Sequence, residues 1–192
     1  MGVEFELKYR ANADQLAALA DKFPGPWVSY RMETTYYDTP HRDLGSKAMT
    51  LRCRLENGEA VCTVKTPEID GARGEWDCRC DDIHAALPEL CKLGAPDFLL
   101  TLDQLEVVCG ARFTRKAATI VTEDFTAELA LDSGVLLGGG RKIPLCEAEL
   151  ELKSGSKDAM IVYAQVLAHR LGLVPERKSK FRRAAELAQH LE

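Results

Sequence analysis

The sequence predicts an α+β domain built on a large antiparallel sheet that closes into a barrel. Three observations carry this expectation. Short runs of apolar and polar residues in strict alternation recur along the chain, the period of a strand with two different faces. Turn signals separate neighbouring runs, the clearest being Asn57-Gly58 between two alternating segments. Only a few segments carry the period of a helix, so helices flank a sheet that dominates the fold.

The elements follow in order. Val3 to Arg10 alternates Val3, Phe5, Leu7 and Tyr9 with Glu4, Glu6, Lys8 and Arg10, a strand by period. Asn12 caps a helix running to about Phe23, where Pro24-Gly25-Pro26 ends it. Trp27 to Tyr37 is rich in aromatic and β-branched residues and reads as a strand, and Asp38-Thr39-Pro40 opens a loop. Met49 to Leu55 and Ala60 to Lys65 form a hairpin across Asn57-Gly58, and Arg73 to Cys80 supplies a further strand. Asp81 or Asp82 caps a helix to about Leu93. Three short strands are expected over Glu106 to Arg115, Ala117 to Asp124 and Thr126 to Asp132, with a turn at Asp132-Ser133-Gly134. Gly138-Gly139-Gly140 is a loop; no P-loop lysine and serine follow it. Glu147 to Lys153 alternates again, and Lys157 to Leu171 and Ser179 to Leu191 are helices. No repeat or linker divides residues 1–192, which read as a single domain.

Composition narrows the function classes. The chain has 192 residues, 46% hydrophobic and 29% charged, enough to bury a core. A net charge of -5 argues against nucleic acid as a general partner, while leaving room for a local basic pocket. The seven cysteines contain no C-x-x-C pair and read as free thiols of a reducing cytoplasm. The four histidines have no zinc spacing. The N-terminus lacks an apolar signal core, and no apolar run approaches the about 18 residues of a membrane span, so no membrane partner is expected.

The chemistry lies in what stands opposite the apolar faces. These positions are acidic in the first strand, with Lys8 following Glu4 and Glu6. They are acidic again at Glu147, Glu149 and Glu151, while Glu128 and Asp132 share a face four residues apart. In the hairpin they are basic: Arg52 and Arg54 on one arm, Lys65 ending the other. For any one strand, an ordinary solvated face accounts for the charges. Their conjunction is harder to explain that way, because solvent faces mix signs. Carboxylates two apart on a strand project together and can share a hard cation such as Mg²⁺. Arginines and lysines on facing strands can neutralise phosphate oxygens, Arg two at a time. Charged faces turned inward are costly unless they pair or hold ions.

At this point the residues resemble a family. Glu4-Phe-Glu6-Leu-Lys8 resembles the ExExK motif of the CYTH superfamily, the triphosphate tunnel metalloenzymes. Tyr36-Tyr37-Asp38-Thr39-Pro40 resembles its Y-Y-[DE]-T-P loop. Leu51-Arg52-Cys53-Arg54, Asn57-Gly58 and Thr63-Val64-Lys65 resemble its LRxR hairpin and TxK strand. Residues 146–155 resemble its ExExE strand, and Lys178-Ser179-Lys180 with Arg183 its late SK-x-x-R segment.

The resemblance implies a tunnel of about eight antiparallel strands with flanking helices and a small-molecule triphosphate as substrate, inorganic triphosphate first. Glu4, Glu6, Asp132, Glu147, Glu149 and Glu151 are its metal candidates for one or two Mg²⁺ or Mn²⁺ ions, the ligand pair being Glu147 with Glu149 or Glu149 with Glu151. Lys8, Arg52, Arg54, Lys65, Arg115, Lys178, Lys180 and Arg183 are its phosphate candidates, with Lys8, Arg54 and Lys65 nearest the chemistry. Arg112 competes with Arg115, and Lys178 with Lys180. Arg73, Glu75 and Glu128 are tunnel residues or surface salt bridges with equal weight; Tyr36, Tyr37, Trp27 and Trp76 are packing residues. Thiamine triphosphatase is an alternative within the same chemistry, class IV adenylyl cyclase shares the fold and metal site but turns the 3′-hydroxyl of ATP on its α-phosphorus, and a non-catalytic polyphosphate or nucleotide sensor is the alternative of another class. A monomer or homodimer is expected.

Overall fold

In the computed structural model, residues 5–67 and 74–189 are described. Glu4 and Arg73 lie outside them. The described residues form β1 (Glu6–Arg10), α1 (Ala13–Lys22), β2 (Val28–Asp38), β3 (Thr50–Glu56), β4 (Glu59–Lys65), β5 (Glu75–Arg79) and α2 (Ile83–Lys92). They continue with β6 (Glu106–Val121), β7 (Phe125–Gly138), β8 (Arg141–Gly155), α3 (Lys157–Leu171), β9 (Val174–Pro175) and α4 (Lys180–Gln189). The strands form one antiparallel sheet of nine, in the order β5-β4-β3-β2-β6-β7-β8-β1-β9. The α+β class is as expected from the alternation.

The ladder itself is open, in contrast to the predicted closed barrel: β5 and β9 are its two edges and no pairing joins them among the described residues. Both edges are short, and Pro175 has no N–H to extend the ladder. The sheet nevertheless curls, since residues of β5, β4 and β3 at one end and β1 and β8 at the other line a single cavity of about 740 Å³.

Local chemistry explains most boundaries. Asn12 and Gln15 cap α1 reciprocally, each side chain accepting the other's backbone N–H at 2.9 and 2.8 Å. Gln15 Nε2 also donates to Leu171 O and Gly172 O, tying α1 to the end of α3. Asn57 and Gly58 both have positive φ (54° and 94°), the two-residue turn whose twist matches the strands it joins. Buried Asp38 ends β2 by accepting N–H groups of Thr39, Leu44 and Gly45 at 2.8–2.9 Å, folding the loop that follows into the cavity wall.

The structure corrects two expected breaks. Glu106 to Val121 is one continuous strand rather than two, and β7 runs straight through Asp132-Ser133-Gly134. Gly134 marks a close approach instead of a turn: a Cβ there would strike Arg112 O and Phe113 Cα on β6. Glycine has the same use at Gly138, where a Cβ would meet Ala184 O of α4.

Three apolar clusters brace the sheet. On its convex side, Leu129, Leu131, Ala148 and Leu150 pack under α1 and α3, while Leu51, Cys62 and Val64 pack under α2. The third lies on the concave side, where Phe113, Leu136 and Leu145 meet Phe181 and Ala184 of α4. Thus α4 is a plug laid across one end of the hollow. Among the described residues no helix is long and apolar enough to cross a membrane.

Candidate functional site

Register places the charged residues in rows across the concave face. Glu6 of β1 stands opposite Glu151 of β8, which stands opposite Glu128 of β7. One step along are Lys8 and Glu149, with Ala130 beyond; next come Glu147, Asp132 and Arg115. On the other arm of the curl, Tyr36, Arg52, Thr63 and Asp77 form one row, and Thr50, Lys65 and Glu75 another. Directly opposite residues of an antiparallel pair point to the same face. The alternation seen in sequence therefore becomes two charged walls of one cavity: Glu6, Glu128, Glu149 and Glu151 with Lys8, Arg115 and Lys180 on one side, Arg52, Arg54 and Lys65 with Glu56, Glu75 and Asp77 on the other. Glu6, Lys8, Arg52, Arg54, Lys65, Glu75, Arg115, Glu128, Glu149, Glu151 and Lys180 all line it.

The basic wall is held ready for an anion. Arg52, Arg54 and Lys65 have side chains only 14%, 13% and 17% exposed. Lys65 Nζ is 2.6 Å from Glu75, Arg52 is 3.7 Å from the same carboxylate, and Arg54 is 3.3 Å from Glu56. Burial, reinforced by the like charge of Arg52, lowers the pKa of Arg54 from its ordinary value. Arg52 Nε is buried with no hydrogen-bond partner among the described residues. A buried guanidinium N–H without an acceptor costs free energy that an anion oxygen would recover.

The carboxylates divide into two groups. Asp132, Glu147 and Glu149 converge, with one ligand oxygen from each inside 4.8 Å of the others, a set that a hard cation accepts. Here three protein cations serve it. Arg115 grips Asp132 with Nε and Nη2 at 2.8 and 2.7 Å and also contacts Glu149. Lys180 Nζ lies 2.7 Å from Asp132, 2.8 Å from Glu149 and against Glu147. Arg183 also contacts Glu147. The ring of Phe113 lies beneath both Arg115 and Lys180.

Three carboxylates thus face three cations, and the charges balance. Burial opposes ionisation of Glu149, but Lys180 and Arg115 outweigh it and hold its carboxyl well below the usual range. Glu147 is raised: complete burial dominates, against the pull of Lys180 and Arg183. Burial also opposes the charge on Lys180, yet Glu149, Asp132 and Glu147 raise its pKa above the ordinary lysine value. The Lys180 ammonium donates hydrogen bonds to Glu147 and Glu149 and forms an ion pair with Asp132. Lys180 therefore closes a buried network in this structure, rather than presenting a free donor for phosphate.

Glu6, Glu128 and Glu151 are the open group. Glu6 pairs with Lys8 at 2.9 Å and Glu151 with Lys153 at 2.7 Å, both partly solvated, and among the described residues no cation of α4 pairs with them.

Several sequence expectations are sorted by this geometry. Arg115 enters the site, whereas Arg112 pairs with Glu33 and donates to Thr34 O outside the cavity lining. Lys180 enters; Lys178 is half exposed and bonds Glu186 at 2.7 Å, so its expected phosphate contact has no support here. Arg183 lies behind the wall, on Glu147 and Glu176. Asp132 and Glu147, expected as metal ligands, sit in the ion network and do not line the cavity. Glu75 and Glu128 line the cavity. Two lining acids were missed: Glu56, which continues the phase of Arg52 and Arg54, and Asp77, which accepts the Thr63 hydroxyl at 2.5 Å and continues the phase of Glu75.

The sequence matches the CYTH domain over residues 2–185. It is similar to an inorganic triphosphatase of Haemophilus influenzae, 28% identical over 137 residues, which is 69% of this chain and 39% of that protein. The chain thus aligns with about two-fifths of that curated relative's length. Among solved structures it resembles the PH1819 protein of Pyrococcus horikoshii, 25% identical, with a TM-score of 0.63 over 96% of this chain and 99% of that one. It also resembles HpAC1 of Hippeastrum, described as a putative adenylyl cyclase with a dominant triphosphatase activity. The TM-score there is 0.65 over 98% of both chains; at 16% identity that likeness is one of fold.

Proposed function

Because this chain belongs to the CYTH family, we propose that its cavity hydrolyses a small triphosphate, inorganic triphosphate foremost, to pyrophosphate and phosphate. The supporting observation is that one cavity brings a cluster of buried cations to face a row of open carboxylates. Arg52, Arg54 and Lys65, with an unpartnered Arg52 Nε, stand on one arm of the curl, and the open carboxylate row Glu6, Glu128 and Glu151 on the other. A pure anion binder gains nothing from carboxylates beside phosphate unless a cation intervenes. The activity of the Haemophilus relative supports the same reading.

Phosphoryl transfer asks a protein chiefly for positioning and charge neutralisation. On this reading Arg52, Arg54 and Lys65 hold the phosphates and neutralise charge on the leaving pyrophosphate, and Lys8 reaches the same anion from β1. Glu6, Glu128 and Glu151, with Glu149 at the rim of the network, hold one or two Mg²⁺ or Mn²⁺ ions. Such an ion supplies charge neutralisation and a water of lowered pKa. Asp132, Glu147, Lys180 and Arg183 hold the wall in shape from behind. The curled sheet with α4 across one end works as a tunnel, within a single domain acting in the cytoplasm.

The test is phosphate release from inorganic triphosphate, thiamine triphosphate, ATP and long-chain polyphosphate, each with Mg²⁺ and with Mn²⁺. Fastest metal-dependent release from inorganic triphosphate is expected. Cyclic AMP and pyrophosphate from ATP would make the chain a cyclase, and binding without turnover a sensor.

A further inference from the structure

Four of the seven cysteines, scattered in sequence, are gathered by the sheet on its convex side, away from the cavity. Cys53 of β3, Cys62 of β4 and Cys78 of β5 stand directly opposite one another, so they form one row across three strands. Cys80 is two residues beyond Cys78 on the same face, just before α2. All four pack in the apolar cluster under that helix. Cys62 is fully buried, and the others are partly so.

The thiols converge further than register alone requires. Cys62 Sγ lies 3.2 Å from Cys80 O and Cys53 Sγ 3.9 Å from the same oxygen, so the two thiols share one acceptor. Cys80 Sγ donates to Asp82 O at 3.1 Å, and Cys78 Sγ lies 3.8 Å from Ala86 O. Core packing needs small apolar residues here, but it does not need four thiols on neighbouring positions.

We propose that Cys53 and Cys62 form a two-coordinate binding site for a soft monovalent cation, Cu(I). Thiolates select soft ions. The coordination number follows from spacing. A tetrahedral zinc site needs four ligands gathered round one point. Among the described residues no three of these sulfurs lie within 4.8 Å of one another, whereas two thiols directly opposite each other on neighbouring strands, converging on one carbonyl, suffice for Cu(I). Burial raises the thiol pKa of Cys62 and Cys78, which disfavours spontaneous thiolate chemistry. Cu(I) supplies the missing drive by displacing the protons: two S–H bonds break, two Cu–S bonds form, and two protons go to solvent. No electron is transferred.

The test uses the reduced full-length chain under anaerobic conditions, titrated with Cu(I) held by a chromophoric chelator. The wild type should withdraw about one equivalent. The double variant Cys53→Ser, Cys62→Ser should withdraw none. Cys53→Ala, at a half-buried position, should be at least about ten-fold weaker while its circular dichroism matches wild type. Glu6→Gln should bind Cu(I) as wild type does, which separates this site from the cavity. Copper uptake equal in wild type and the Cys53 and Cys62 variants would overturn the proposal. So would Zn²⁺ binding through four thiolates in preference to Cu(I).

Discussion

Lys180→Met removes an ammonium from among three carboxylates and replaces it with an apolar chain of similar length. In the native network Asp132, Glu147 and Glu149 are balanced by Arg115, Lys180 and Arg183. The variant leaves three negative charges against two positive ones, in a place where Asp132 and Glu147 are 0% exposed. Removing one partner from a buried ion network costs about 3–5 kcal/mol, because the charges left behind are neither paired nor hydrated. For a chain of this length each kcal/mol moves Tm by about 2–4 °C, so a fall of roughly 6–20 °C is expected. The assay is urea and thermal unfolding followed by circular dichroism. Adding Glu147→Gln removes one of the stranded charges and should restore about 1–3 kcal/mol, a coupling that a double-mutant cycle isolates. If Lys180→Met unfolds within about 0.5 kcal/mol of wild type, Lys180 is not the closing member of the network and the reasoning fails.

Other predictions follow from the same geometry. Arg52→Ala should lower kcat/KM for triphosphate by about 10²–10³-fold, and Arg52→Lys should not restore it, because an ammonium cannot replace the fork of the guanidinium; steady-state kinetics decide it. Glu149 has its folded pKa depressed, so its contribution to stability is present above the ordinary carboxyl value and is lost as pH falls through the folded value. Glu149→Gln should therefore flatten the acid side of the stability curve, measured by urea unfolding across pH. Asp38→Ala strands the N–H groups of Thr39, Leu44 and Gly45; a loss of about 2–4 kcal/mol with a raised KM is expected, since the loop it folds lines the cavity.

Much of this was legible in the sequence because strands have period two. Glu6 and Lys8, Arg52 and Arg54, and Glu149 and Glu151 were each assigned to a face correctly before their partners were known. Asn12 and the Asp81-Asp82 pair announced their helices through ordinary capping chemistry, Asp82 proving to be the cap. What was not legible depended on partners distant along the chain. Gly134 reads as a turn residue until the backbone of β6 is seen lying against it. Glu6, Glu149 and Glu151 look equivalent to Glu147 and Asp132 by alternation. Only the seating of α4 shows which carboxylates its cations take and which remain open to the cavity. A signal for that seating was present: Lys180, Arg183, Ala184 and Leu187 share one helical face, which Lys178 precedes. The row of Cys53, Cys62 and Cys78 needed the register of two hairpins before it could be seen.

The most direct measurement is phosphate release from inorganic triphosphate by chelator-stripped protein as Mg²⁺ is returned, with wild type, Glu6→Gln and Arg52→Ala side by side. Turnover in the wild type should appear only with the metal. Glu6→Gln should need more Mg²⁺ to reach its maximum, and Arg52→Ala should need more triphosphate or turn over more slowly, both with the folded circular dichroism spectrum. Triphosphate bound without hydrolysis, hydrolysis indifferent to Mg²⁺, or full activity in both variants would contradict the account.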